Sequence, residues 1–315
     1  MLQPGPLLTI QDGGRAGYRR WGVPASGALD PLALAIANRL LGNPPAAAAL
    51  EITGVGCRLR FEAPAVIAVA GGDLGAWLDD LPLPLWHACF VRQGQELRWA
   101  ERRRGGRCYL AARGGFAIEP CLGSASALPG GPFPGMLGRA LRAGDRLPLR
   151  NEDIDPAIAG RSWPPAARPL PPPQPVIRVL PGPHQPLLPD QWRKLIGAEW
   201  RVSPDSNRMG YRLLGEASPP DPPVSIPSCG VAPGAIQLPP DGAPVVLLAD
   251  AQTTGGYPLL AAVIGADRWL LGQLLPGDSL RFAETDLPTA RAALREQLAA
   301  LVKPMDESQE WGAPC

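Results

Sequence analysis

Arg58-Leu59-Arg60-Phe61 is followed, after Glu62-Ala63-Pro64, by Ala65-Val66-Ile67-Ala68-Val69-Ala70 and then Gly71-Gly72. The first run alternates polar and apolar residues. The second is continuously apolar, and both are bounded by proline or glycine, which predicts two short strands. The same unit recurs in both directions. Toward the N-terminus lie residues 49–52 and Leu7-Leu8-Thr9-Ile10, the latter closing on the turn signal Gln11-Asp12-Gly13-Gly14. Toward the C-terminus lie residues 87–91, 96–99, 107–112 and 145–149. This rhythm predicts a barrel or sandwich rather than a parallel α/β sheet. The 41 prolines and 37 glycines of the 315-residue chain mostly interleave with such runs as turns.

One helix interrupts the first half. Over residues 29–42 apolar residues recur at helical spacing, Asp30 stands as N-cap, Pro31 at the first position and Gly42 at the end. The stretch 151–175, proline-dense from Pro165 to Pro175, predicts a semi-extended linker. A second strand-rich block follows at 176–180, 199–202, 211–214, 235–238, 245–249, 269–274 and 279–282. Short helices are expected at 189–195 and 257–263, and a final helix from about 287 to 302, with a frayed tail after Pro304. The organisation read from this is a β domain over 1–150, the linker 151–175, a second β domain over 176–285, and a helix and tail over 286–315. Gly114-Gly115-Phe116 is echoed by Gly255-Gly256-Tyr257, and Gly144-Asp145 by Gly277-Asp278, which raises a duplication of one β fold or a coincidence in a glycine-rich chain.

Composition narrows the function. Apolar residues make up 45% and charged residues 19%, as in packed globular proteins, and the length suits two domains. A net charge of +1 gives no footprint for nucleic acid or an anionic membrane surface. No basic start precedes an apolar stretch and no run of about 18 apolar residues exists. Six scattered cysteines form no C-x-x-C pair. The expectation is a cytoplasmic protein.

The two histidines exclude much chemistry. His87, in a predicted strand beside Trp86, reads as packed rather than catalytic. His184 reads as a surface residue or a proton carrier. Two isolated histidines without paired cysteines argue against zinc. There is no phosphate loop of the G-x-x-x-x-G-K-[ST] type and no G-x-S-x-G elbow. Gly71-Gly72-Asp73-Leu74-Gly75 has no convincing helix behind it and is not a dinucleotide site. Four polar, glycine-rich clusters remain: residues 11–30 continuing to Asn38, residues 205–212, residues 234–239 and residues 250–258. Glycine lets backbone amides approach a ligand. The arginines, amides, hydroxyls and carboxylates here can hold a planar carboxylate or ureido group beside a proton acceptor.

Those clusters carry a resemblance. Gln11-Asp12-Gly13-Gly14-Arg15-x-Gly17-Tyr18, Gly22-Val23-Pro24-x-Ser26-Gly27-Ala28-Leu29-Asp30, Ala37-Asn38 and Leu50-Glu51-x-Thr53 open the match. Ser206-Asn207-Arg208-Met209-Gly210-x-Arg212-Leu213, Gly234-Ala235-Ile236-Gln237 and Asp250-x-Gln252-Thr253-Thr254-Gly255-Gly256-Tyr257-Pro258 continue it. In this order, over about residues 5–285, the chain resembles the family of the 5-oxoprolinase C-subunit and the biotin-dependent carboxyltransferases, also described as allophanate hydrolase subunit 2-like.

The resemblance implies a mostly β chain of two cyclophilin-like β-barrel domains with a few short helices. It implies partners in a 5-oxoprolinase complex, one like its A-subunit and one like its B-subunit. The implied reaction is the ATP-dependent opening of 5-oxo-L-proline to L-glutamate, with ATP used by the complex and no cofactor bound by this chain alone. The related domain of urea carboxylase moves carboxylate from carboxybiotin to urea, so biotin from a separate carrier is an alternative. A regulatory module binding the B-subunit-like, kinase-inhibitor-like protein is another. Without a phosphate loop the chain is expected to be inactive alone. From chemistry and motif position, Arg15 and Arg208 are expected as anion anchors, and Gln237, Gln252, Thr253 and Thr254 as hydrogen-bond donors to the substrate carbonyl. Asn38 and Tyr257 are expected at the substrate, and Asp30 or Asp250 as the base or orienting carboxylate. One departure stands out: where the family often has Gly-Ser-Arg-Ser-Thr, this chain has Gly123-Ser124-Ala125-Ser126-Ala127.

Overall fold

A computed structural model describes residues 1–150 and 156–302. The chain forms two compact units, the first mainly from Met1–Gly14 and Asp30–Pro171, the second from Arg15–Leu29 and Pro172–Ala299. The C-terminal tail lies outside the described residues, as do residues 151–155 of the proline-rich stretch.

The first unit is two antiparallel five-stranded sheets. One runs Leu7–Gln11, Ala49–Thr53, Arg104–Ala112, Ala65–Asp73, Ala88–Val91. The other runs Gln3–Pro4, Cys57–Arg60, Glu96–Trp99, Ala76–Leu78, Leu81–Pro82. Alternation sets the inward face: in Cys57–Arg60 the cysteine and leucine are buried and both arginines exposed. Leu8, Ile10, Leu50, Ile52, Leu59, Leu97 and Trp99 pack in one core. The continuous apolar reading of residues 65–70 is explained by the helix Pro31–Leu40, which covers the outer face of Ala65–Asp73. That helix starts as read, with Asp30 Oδ1 accepting from the Ala33 N–H at 2.9 Å.

Residues 145–149 are not a strand; only Leu149 makes an isolated bridge, to Phe116. Asp145 instead accepts from Arg139 and from the Arg142 N–H. Residues 156–168 are less extended than their proline content predicts, because Ile158 and Trp163 are buried against the unit and Ser162 bridges His87.

The second unit is a closed seven-stranded barrel: Val176–Pro181, Leu259–Val263, Ala235–Gln237, Val245–Leu247, Gly210–Leu214, Glu199–Val202, Ser279–Glu284, and back to the first. Pairing is antiparallel except at the closure, where Val176–Pro181 and Ser279–Glu284 run parallel. Ile177, Trp200, Tyr211, Ile236, Val246, Leu260 and Phe282 fill it, and Leu29 joins them from the segment Arg15–Leu29.

Two elements exchange type relative to the sequence reading. The sequence predicts a helix over residues 257–263, yet Leu259–Val263 is a strand hydrogen-bonded on both sides. It predicts a strand over residues 269–274, yet Arg268–Gly272 is a helix whose Leu270 and Leu271, with Leu274 just beyond it, are buried together. Both are short apolar runs, whose period cannot separate the two states; barrel closure decides.

The echo of Gly-Asp is a shared turn. Asp145 and Asp278 each send their N–H to the carbonyl three residues back, and each carboxylate accepts that residue's N–H at 2.8 and 2.7 Å. Gly144 and Gly277 hold φ of 88° and 93°, which only glycine adopts readily.

Candidate functional site

Most of the expected site residues fall in the second unit. Arg208 and Asp250 form an ion pair there, Nε to Oδ2 at 2.8 Å and Nη2 to Oδ1 at 3.2 Å, with side chains 4% and 3% exposed. Arg208 Nη2 also donates to the Gly27 carbonyl at 2.7 Å, and the Ser26 N–H donates to the Ala249 carbonyl at 3.0 Å. The Ser26-Gly27 turn, with φ of 53° and 94°, is thereby fixed onto the turn after Val245–Leu247 that carries Asp250. Ser26 Oγ is buried and makes no hydrogen bond. Arg15 is buried too, and its N–H donates to the Ala25 carbonyl at 2.6 Å.

The loop after Asp250 is open. Gln252 and Thr254 are exposed, Thr253 is half-buried and Tyr257 is exposed. Gln252 Nε2 reaches inward to Gln237 Oε1 at 3.4 Å, longer than a well-formed bond. Gln237 lies on the inner strand Ala235–Gln237, is 2% exposed, and its Nε2 is a buried donor without a partner. Such donors are rare because each costs about 1–3 kcal/mol when left unpaired. Gly255 makes room for it: a Cβ there would stand 2.6 Å from Gln237 Nε2. The loop is tied down by Val231, whose N–H donates to the Thr253 carbonyl at 3.0 Å. An idle amide donor beside exposed amides and hydroxyls can receive the oxygen of a small amide or ureido carbonyl.

Asp30 and Asn38 belong to the first unit. Besides capping its helix, Asp30 donates its N–H to Tyr109 Oη at 2.8 Å, and Tyr109 donates to Glu51 Oε2 at 2.7 Å. Arg107 Nε lies 3.8 Å from Glu51 Oε1. All four residues are buried, and burial, then the carboxylates of Glu51 and Asp30, push the Tyr109 phenol well above its ordinary value. Asn38 is fully buried; it donates to the Ala47 carbonyl at 2.8 Å and accepts from Asn43 Nδ2 at 3.1 Å. These contacts hold the loop after the helix.

The departing segment 123–127 is organised by Asp12. Its Oδ1 accepts from the Gly14 N–H (2.7 Å), Ser124 Oγ (2.6 Å) and Ser126 Oγ (2.5 Å), and its Oδ2 accepts from the Ala125 N–H (2.6 Å). Gln11 Nε2 donates to the Ala127 carbonyl at 3.1 Å. Ala125 and Ala127 are buried. Gln11-Asp12-Gly13-Gly14 thus carries the segment in which the family arginine and threonine are replaced.

His87 is packed, as its sequence setting implies, with Nδ1 2.7 Å from the Leu85 carbonyl oxygen. His184 Nδ1 accepts from the Leu259 N–H at 3.0 Å. Among the described residues no group of three His, Cys, Asp or Glu is arranged to hold a metal, and no helix is long and apolar enough to cross a membrane. Ser26, Tyr109 and Val231 stand among these contacts, although none of the three is predicted as a site residue. Ser26 carries a signal, since it precedes Gly27 in one of the quoted motifs; Val231 carries none.

Comparison with known proteins follows the same clusters. A family described as "Carboxyltransferase domain, subdomain A and B" matches residues 21–284. The C-subunit of the 5-oxoprolinase of Escherichia coli (strain K12) is 37% identical over 306 residues, covering 94% of each chain. A putative urea carboxylase of Emericella nidulans is 35% identical over 99% of this chain but only 26% of its own. Among solved structures, the urea amidolyase of K. lactis superposes with a TM-score of 0.87 at 30% identity, over 99% of this chain and 20% of that one.

Proposed function

This chain belongs to the carboxyltransferase-domain family, subdomains A and B, and from that premise we propose that it is the C-subunit of an ATP-driven 5-oxoprolinase. One observation carries the choice: identity to the 5-oxoprolinase C-subunit runs over 94% of both chains, whereas the urea enzymes are matched over 17–26% of theirs.

The chemistry fits the donor set. The lactam amide of 5-oxo-L-proline is resonance-stabilised, so its opening to L-glutamate is coupled to ATP. Partners of the A and B types handle the ATP in a complex where this chain has no phosphate loop. In this reading Gln237 Nε2 and the Gln252 amide receive the lactam carbonyl, with Thr253 and Thr254 hydroxyls and Tyr257 at the rim. Arg208 and Asp250 act as one unit, Asp250 orienting and Arg208 neutralising it. Arg15 supports the turn that carries Ser26 and Gly27, and Asp30 and Asn38 hold the helix and loop of the first unit.

The test is ATP- and 5-oxoproline-dependent glutamate release by this chain with its A and B partners, omitting each in turn. Glutamate that disappears without this chain supports the reading; glutamate that persists without it removes the chain from the reaction.

A second reading, carboxyl transfer to urea or a similar amide, is supported by the 99% coverage of this chain against the urea carboxylase relative. Biotin would arrive on a separate carrier, and the idle Gln237 donor suits a ureido oxygen equally. Activity that avidin abolishes would favour this reading over the first.

A further inference from the structure

Two arginines of the second unit stand against one turn, and among the described residues no carboxylate is bonded to either. Arg19, in the 3₁₀ turn Arg19–Trp21, donates through Nη2 to the Val231 carbonyl, while its Nη1 is buried without a partner. Arg268, which opens the helix Arg268–Gly272, runs its Cδ 3.7 Å from the position of a Cβ on Gly234, in the turn that directly follows Val231. The adjacent carboxylate of Asp267 is already used, bound by Arg178 through Nε at 2.9 Å, Nη2 at 2.7 Å and the backbone N–H at 2.8 Å. Arg20 lies over the Trp21 ring at 4.0 Å and is turned to other work.

The turn joins this pair to the idle amide. Val231 holds Thr253 by its N–H, and a Cβ on Gly255 would stand 3.5 Å from Val231 Cγ1 and 2.6 Å from Gln237 Nε2. A short chain of contacts therefore links the arginines to Gln237.

We propose that Arg19 and Arg268 seat the carboxylate of a small anionic amide whose carbonyl is received by Gln237, which for the substrate proposed above is the α-carboxylate of 5-oxo-L-proline. This rests on that functional reading for the ligand's identity, not for the anion site. Two guanidiniums set together repel, and an anion between them converts the repulsion into charge-assisted, fork-geometry hydrogen bonds. Packing around its head and then the charge of Arg19 lower the Arg268 pKa, the behaviour of a cation short of a counter-ion. Arg268 is nonetheless exposed, so a ligand can reach it. A neutral substrate such as urea has nothing to place there.

Calorimetric titration of the full chain with its B-type partner tests this, using 5-oxo-L-proline and 2-pyrrolidinone, the same ring without the carboxylate. Arg268→Ala and Arg19→Ala are expected to weaken 5-oxoproline binding about 10- to 100-fold and leave 2-pyrrolidinone unchanged, with Arg268→Lys intermediate. Equal loss for both ligands, or no loss for either, overturns the assignment. If the wild type binds no 5-oxoproline but binds acetate in a way that Arg268→Ala abolishes, the anion site stands and the 5-oxoprolinase reading falls. If it binds neither carboxylate, the anion site is wrong.

Discussion

Arg208 and Asp250 hold each other twice, guanidinium to carboxylate through two bonds and Asp250 N–H to Arg208 carbonyl at 3.1 Å. The side-chain half can be removed by mutation and the backbone half cannot. Removing one member leaves the other charge buried, which typically costs about 3–5 kcal/mol. Arg208→Ala is expected to destabilise by that amount, measured by urea denaturation. Arg208→Met with Asp250→Leu is expected to cost less than the single changes sum to. Asp250→Ala in the reconstituted complex tests the proposed role; unchanged turnover would remove Asp250 from the reaction.

Asp12 accepts from two hydroxyls and two backbone amides. Asp12→Ala removes the acceptor of the Ser124 and Ser126 hydroxyls, both buried, and of two backbone amides, and is expected to cost about 2–4 kcal/mol. Ser126→Ala removes one donor from a carboxylate that keeps three and should cost about 1 kcal/mol. Thermal melts of the two variants give the ratio, and equal shifts would show that the carboxylate does not organise the segment.

Gly255 is required for a reason other than backbone freedom, because its φ is ordinary while its Cβ position collides with Gln237 Nε2 at 2.6 Å. Gly255→Ala is expected to displace the Gln237 head, lower kcat/KM at least about tenfold and shift stability by under about 1 kcal/mol. A variant with full activity would show that the Gln237 head is not used.

Burial lowers the His87 pKa below 6.5, partly offset by the Leu85 carbonyl and assisted by the charge of Arg168. Below 6.5 the unfolded chain takes up a proton that the folded chain resists, so stability is complete above 6.5 and falls as pH drops through it. His87→Gln should flatten the part of the stability curve that falls below about pH 6.5. An unchanged slope in denaturation at several pH values would exclude His87 as its source.

Legibility follows the range of the interactions. The helix at Asp30-Pro31 is readable because cap, proline and period are local, and Asp30 does cap it. Most strands with flanking glycine or proline are readable for the same reason; residues 145–149, behind Gly144, are taken by the Asp145 turn instead. Residues 259–263 and 268–272 are not, since a five-residue apolar run takes its state from its barrel neighbours. The four polar clusters are visible as motifs, but Arg208 and Asp250 are 42 residues apart, and nothing local says that they pair. Arg268 gives no sign at all in the sequence; its importance comes only from the Gly234 turn and Arg19.

The bond from Arg208 to the Gly27 carbonyl spans 181 residues. During synthesis Gly27 leaves the ribosome long before its partner exists, a delay of roughly 10–40 s at ordinary elongation rates. A fragment beginning at the proline-rich stretch would carry every barrel strand and still lack the Ser26-Gly27 turn and Leu29 of its core. The second unit therefore cannot be moved between genes as a single contiguous cassette, and a swap with another member of the family has to exchange residues 15–29 along with it.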